Sequence, residues 1–176
     1  ADDAYTFMVS WESMALASYF LVTTQHRIAT IRDAGFLYLL LAHVGAIAIL
    51  LCFGVLQGGS WQFSFDAMRT ADLAPSRATL AFALALIGFG AKAGLVPLHV
   101  WLPEAHPAAP SPVSALMSGV MLKTAVYGLL RVSLDLLPSA ELEARYSVLE
   151  SSLTRFGNPE HWGKMVRKLD QLSEED

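Results

Sequence analysis

The stretch AGFLYLLLAHVGAIAILLCFGVL, residues 34–56, holds no Lys, Arg, Asp or Glu. A helix needs about 20 consecutive apolar residues to cross the hydrocarbon core of a bilayer. Three further runs approach that length: AYTFMVSWESMALASYFLV, RATLAFALALIGFGAKAGLVPLHVWL and VSALMSGVMLKTAVYGLLRVSL. A soluble domain of 176 residues could bury one good core without such runs. Only 16% of the chain is charged, against about 25% in ordinary soluble domains. The expected fold is therefore all-α: a polytopic transmembrane helix bundle with four spanning helices and a soluble helical tail. The spans run from about Ala4 to Thr24, Asp33 to Leu56, Ser76 to Leu102 and Pro112 to Leu134.

Proline places the internal boundaries. Pro75 precedes the third helix, where its missing N–H costs nothing. Pro97 falls inside that run. A proline there removes a backbone hydrogen bond and clashes with the preceding turn, so the third helix is expected to break, with a short second half ending near Leu102. The link PEAHPAAPSP has four prolines in ten residues and cannot be helical throughout. From Pro138 the composition changes. ELEARYSVLESSL is amphipathic, FGNPEHWG is a turn-rich link, and KMVRKLDQLSEED suits a last exposed helix. Two regions result: a transmembrane part over 1–137 and a soluble, helical tail over 138–176.

Charge follows the same division. Residues 1–134 hold seven Lys/Arg and seven Asp/Glu, so the net charge of -4 falls on the residues from Asp135 onward. No basic stripe for nucleic acid is present. The lone Cys52 offers neither a disulfide nor a metal site. Arg27 and Arg32 flank the first link, which the positive-inside rule turns to the cytoplasm. The second link then faces out and the proline-rich link faces in. The chain opens without an initiator Met or a signal peptide and reads as the interior of a longer protein.

Single charges within the apolar helices are the candidate functional residues. An ionised side chain at the bilayer centre costs roughly 2.5–3.5 kcal/mol on insertion scales, and such residues mark ion or proton paths. Glu12 sits near the middle of the first helix; the alternatives are a structural ion pair or a protonated carboxyl. Lys92 lies five residues before Pro97, among Gly88, Gly90 and Gly94, which permit close helix approach. Broken membrane helices often line binding sites. The alternative for Lys92 is an amine reaching the cytoplasmic edge. Lys123 is near the middle of the fourth helix and shares a face with Gly119 and Tyr127 at spacings of four. Thr124, Ser118 and Ser114 add hydroxyls suited to a water chain. His99 follows the expected break and can relay a proton near neutral pH. His106 can cap or structure the link. His43 stands alone in the second helix; it reads as a hydrogen-bonded interior residue, with haem ligation as the alternative. Trp11, Trp61 and Trp101 are assigned packing or interface anchoring.

GFGAKAGLVPLHVWLPEAHPAAPSPVSALMSGVMLKTAVYGLLRV, residues 88–132, resembles the antiporter-like, proton-conducting membrane subunits of respiratory complex I, Mrp-type antiporters and membrane-bound hydrogenases. SWESMALASYFLV resembles that family's helix with a central Glu. The wording around Lys92 leans toward hydrogenase 4 component B and formate hydrogenlyase. The resemblance implies the fifth to eighth helices of a longer subunit, and hence a fragment. It implies that Glu12 pairs with Lys92 and that Lys123 takes the next proton. After Leu137 the sequence departs from the family pattern, as a fusion, frame change or truncated product would. The implied function is proton translocation in an electron-transfer complex, in a bacterial inner membrane. Redox catalysis, and any quinone, would then belong to partner subunits. No nucleotide, flavin or Fe–S motif appears, so no cofactor is expected on this chain. A sodium/proton antiporter subunit and a non-transporting remnant are the alternatives.

Overall fold

A computed structural model describes residues 1–137 and Val148. The expected tail helices, in residues 141–153 and 164–176, lie outside the described residues, Val148 apart. The described elements are helical: α1 Ala4–Val22, α2 Ala29–Leu56, the short α3 Phe65–Arg69, α4 Pro75–Ala93, the short α5 Leu102–Ala108 and α6 Ser111–Leu136. No strand occurs among the described residues. A single bridge joins Asp3 to Ser64, and the second link is tied to the start of α1 by Ala4 N–H donating to Phe63 O at 2.8 Å.

Among the described residues, three helices, α2, α4 and α6, are long and apolar enough to cross a membrane. α1 is 19 residues long but is not among them. Glu12, Thr6 and three serines dilute its hydropathy. Those serines are satisfied locally: Ser10, Ser13 and Ser18 donate to the carbonyls of Thr6, Val9 and Met14, four residues back.

The third helix ends earlier than proline chemistry alone suggested. α4 stops at Ala93, and Gly94 adopts the left-handed conformation at φ 72°. A residue with a Cβ resists that conformation, and glycine does not. The N–H groups of Gly94 and Leu95 both donate to Gly90 O. Trp101 Nε1–H donates to Ala91 O at 2.7 Å, satisfying another terminal carbonyl. Pro97 lies three residues beyond the cap, in the turn between α4 and α5, after a cis Val96–Pro97 peptide bond. Glycine thus ends the helix and proline follows.

The link to α6 is more helical than its prolines suggested. Pro103 and Pro112 sit in the first turns of α5 and α6, where an N–H has no partner to lose. The interruption falls at Ala109 and Pro110, which have extended ψ values of 142° and 146°. α6 contains two π-helical turns, Met117–Met121 and Val132–Leu136.

The core forms where α2 crosses α4. A Cβ at Gly45 would lie 2.9 Å from Gly88 O, and one at Gly88 would lie 2.6 Å from Ile49 Cγ1. The backbones meet because neither position carries a side chain. Beside this crossing, Phe7 and Trp11 of α1 pack with Phe53 and Phe89; Trp11 meets Phe89 edge-on at 5.3 Å. On the far end, Arg69 of α3 holds Asp135 of α6 through two hydrogen bonds of 2.8 and 2.9 Å. The outward face of α2 is apolar, with Phe36, Leu40, Val44 and Ile47 exposed.

Candidate functional site

Lys92 occupies the last turn of α4 and is 3% exposed. A lysine so buried must find partners, because desolvating an unpaired ammonium costs several kcal/mol. Its Nζ donates to Tyr38 Oη at 2.7 Å. It also lies 5.9 Å from the Trp11 ring centre, within the range where a cation is held by an aromatic face. The snorkelling alternative does not describe this geometry: the amine turns inward to α1 and α2.

Tyr38 is held from several sides. Its ring meets Trp101 edge-on at 5.2 Å, and its hydroxyl lies 3.5 Å from both Ala15 O and Met121 Sδ. Ser18 Oγ reaches the same sulfur at 3.3 Å. The π turn of α6 thus brings Met121 against the polar cluster. Trp101 joins the two ends of the arrangement, since it packs on Tyr38 and caps the helix that carries Lys92. Trp11 and Trp101 are buried packing residues, whereas Trp61 is 80% exposed.

Glu12 lies within electrostatic reach of both Lys92 and Tyr38. Its short contact is elsewhere. Oε2 is 3.6 Å from His43 Nε2, and Oε1 is buried with no hydrogen-bond partner among the described residues. His43 Nδ1 is 2.9 Å from Leu39 O, one turn back on α2. The second helix therefore supplies a partner to each charge, Tyr38 to Lys92 and His43 to Glu12.

His99 is half-buried in the turn after α4, between Pro97 and the anchored Trp101. Lys123 is exposed, on the side of α6 away from buried Leu122, Ala125 and Leu129. Tyr127 is exposed on the same face and accepts from Arg131 Nη1 at 2.9 Å. Ser118 and Thr124 donate to the backbone carbonyls of Ser114 and Val120, at 3.2 and 2.9 Å. His106 Nδ1 is 2.8 Å from Ser114 Oγ, which joins α5 to the first turn of α6. Burial holds the His106 imidazole below its usual value.

Tyr38 was absent from the residues singled out in the sequence. Its only signal is that Tyr38, His43 and Cys52 are the side chains able to hydrogen-bond in an otherwise apolar run.

The family described as NADH:quinone oxidoreductase/Mrp antiporter, TM, matches residues 1–155. The chain belongs to this family. Among relatives of the quinone oxidoreductase/antiporter family, it is 46% identical over 148 residues to hydrogenase-4 component B of Escherichia coli (strain K12), covering 84% of this chain and 22% of that protein. It is 33% identical over 165 residues to NAD(P)H-quinone oxidoreductase chain 4 1 of Picosynechococcus sp., covering 88% of this chain and 31% of that one. The fold matches a chain of the membrane-bound sulfane sulfur reductase, an archaeal respiratory membrane complex. That match has a TM-score of 0.75 and 22% identity, and covers 86% of this chain and 31% of the other. The chain thus spans 22–31% of the length of these relatives. The resemblance drawn from the Lys92–Lys123 region holds, and family and helices together make this a multi-pass membrane protein.

Proposed function

We propose that the chain is part of a proton-translocating subunit of an electron-transfer complex of the hydrogenase 4/formate hydrogenlyase or NADH:quinone oxidoreductase type. Residues 1–137 form its membrane part, with α1 as a fourth span, and residues 138–176 form a soluble tail. Protons pass by way of Glu12, Lys92, His99 and Lys123, with Tyr127, Thr124 and Ser118 supporting Lys123. Gly94 and Pro97 together open the helix beside Lys92. The complex lies in a bacterial inner membrane, and redox catalysis, with any quinone, belongs to partner subunits.

The observation that carries this reading is Lys92, 3% exposed at an interrupted helix end. Its amine rests on a tyrosine hydroxyl, with a carboxylate in electrostatic reach. A lysine buried within an apolar helix is costly, and such residues mark ion and proton paths in membrane proteins. Lys123 supports the same reading. An ammonium in mid-span cannot face lipid, so its exposed side must meet protein or water. Replacing Lys123 by Ala in the full-length subunit, within its assembled complex, abolishes proton uptake into vesicles. Uptake at the unaltered rate would sink the relay.

The family also includes Mrp antiporters, so sodium/proton exchange is the second reading. Sodium-dependent proton movement that persists without electron transfer would select it.

A further inference from the structure

We propose that His43 is the proton partner of Glu12, and that the two side chains hold one proton in common. The inference rests on the relay reading and adds a residue to it. Leu39 O can only accept a hydrogen bond, so His43 Nδ1, 2.9 Å away, carries a hydrogen. That fixes the tautomer of the neutral ring and leaves Nε2 as the atom that gains or loses a proton. Nε2 faces Glu12 Oε2 at 3.6 Å. Two bare lone pairs facing each other repel, so the contact is favourable only with a proton on one of them.

The pair then has two equivalent charge states: imidazolium with carboxylate, or neutral imidazole with carboxylic acid. Moving the proton from Nε2 to Oε2 breaks one N–H bond and forms one O–H bond. The net charge stays at zero, and Nδ1–H keeps its bond to Leu39 O. In a weakly polar setting this is the inexpensive way to shift a proton, because no uncompensated charge appears. The 3.6 Å gap exceeds the reach of direct transfer, about 2.6–3.2 Å, and one water or a small side-chain rotation spans it. The open side of the pair, with side chains 49% and 32% exposed, needs protein or water against it.

Other titratable groups lie on the elements around the pair, and Lys92 and Tyr38 are within electrostatic reach of Glu12. Lys92 of α4 is bound to Tyr38 of α2. His99 lies in the turn after α4. On α5, Glu104 is exposed and His106 is bound to Ser114. Lys123 is on the exposed side of α6.

The test uses the full-length protein in its assembled complex, with Glu12→Gln, His43→Gln and, should the latter fail to assemble, His43→Asn. Infrared difference spectra identify the Glu12 carboxyl band as the one missing in Glu12→Gln. At neutral pH, its amplitude in the His43 variant differs from wild type by about twofold or more, because the charge partner is gone. A His43 that only packs and bonds Leu39 leaves the band unchanged, which overturns the proposal. Proton uptake separates the two levels. Impaired uptake in Glu12→Gln with wild-type uptake in His43→Gln sinks the shared proton and keeps the relay. Wild-type uptake in Glu12→Gln sinks the relay itself, while the infrared band still judges the pair.

Discussion

Replacing Tyr38 by Phe removes one oxygen and little else. The ring keeps its contact with Trp101 at 5.2 Å. What is lost is the acceptor for Lys92 Nζ at 2.7 Å, in a site where that amine is 3% exposed and has little water to turn to. A hydrogen bond to a charged group contributes about 1.5–3 kcal/mol. At about 1.4 kcal/mol per tenfold change in rate, the effect on a step that depends on this bond is roughly 10- to 150-fold. The assay is the initial rate of proton uptake by vesicles carrying the assembled complex, normalised to subunit content. A fall of about tenfold or more is expected. A wild-type rate in a fully assembled Tyr38→Phe complex would show that Lys92 does not work through this hydroxyl.

Other changes probe the frame around the site. Gly88→Ala places a methyl 2.6 Å from Ile49 Cγ1 and 2.8 Å from Gly45 O, and should destabilise the α2–α4 crossing by about 1–3 kcal/mol, read as a lower melting temperature of the purified subunit. His106 favours its neutral form in the fold because burial disfavours the cation. Its contribution is fully present above the unfolded value of about 6.5 and is lost as pH falls through the lower folded value. Protection of the α5 amides against hydrogen exchange, corrected for the intrinsic rate at each pH, should therefore fall on acidification below about pH 6.5, and His106→Asn should flatten that dependence. Asp135→Asn weakens the clamp on Arg69; exchange in α3 should rise with little change in global stability, since the pair is partly exposed.

The helices were legible because apolar runs report directly on burial in lipid or protein. Their ends were less so. α2 begins at Ala29, four residues before the Asp33 expected from hydropathy, because ATIR, though it carries Thr30 and Arg32, can continue a helix past the apolar boundary. The interruption after Lys92 was legible in place but not in cause: Pro97 drew attention, whereas the left-handed cap at Gly94 ends the helix. The shared face of Gly119, Lys123 and Tyr127 follows from a spacing of four and appears as such. The local bonds of Ser118 and Thr124 to their own helix were hidden, because a hydroxyl within a helix can turn to either the backbone or a neighbour. Contacts between helices lay furthest out of reach. Lys92 on Tyr38, and Glu12 on His43, depend on how α1 and α4 sit against α2, and that register is set by Gly45, Gly88 and the aromatic cluster together.

The most direct measurement is proton uptake per electron transferred by the assembled complex carrying Lys92→Met in the full-length subunit. Methionine fills the buried volume and removes the charge, so the helices still pack. If Lys92 carries protons, uptake is lost while the complex remains assembled. Uptake at the wild-type ratio would mean that the buried lysine is structural and that protons cross elsewhere.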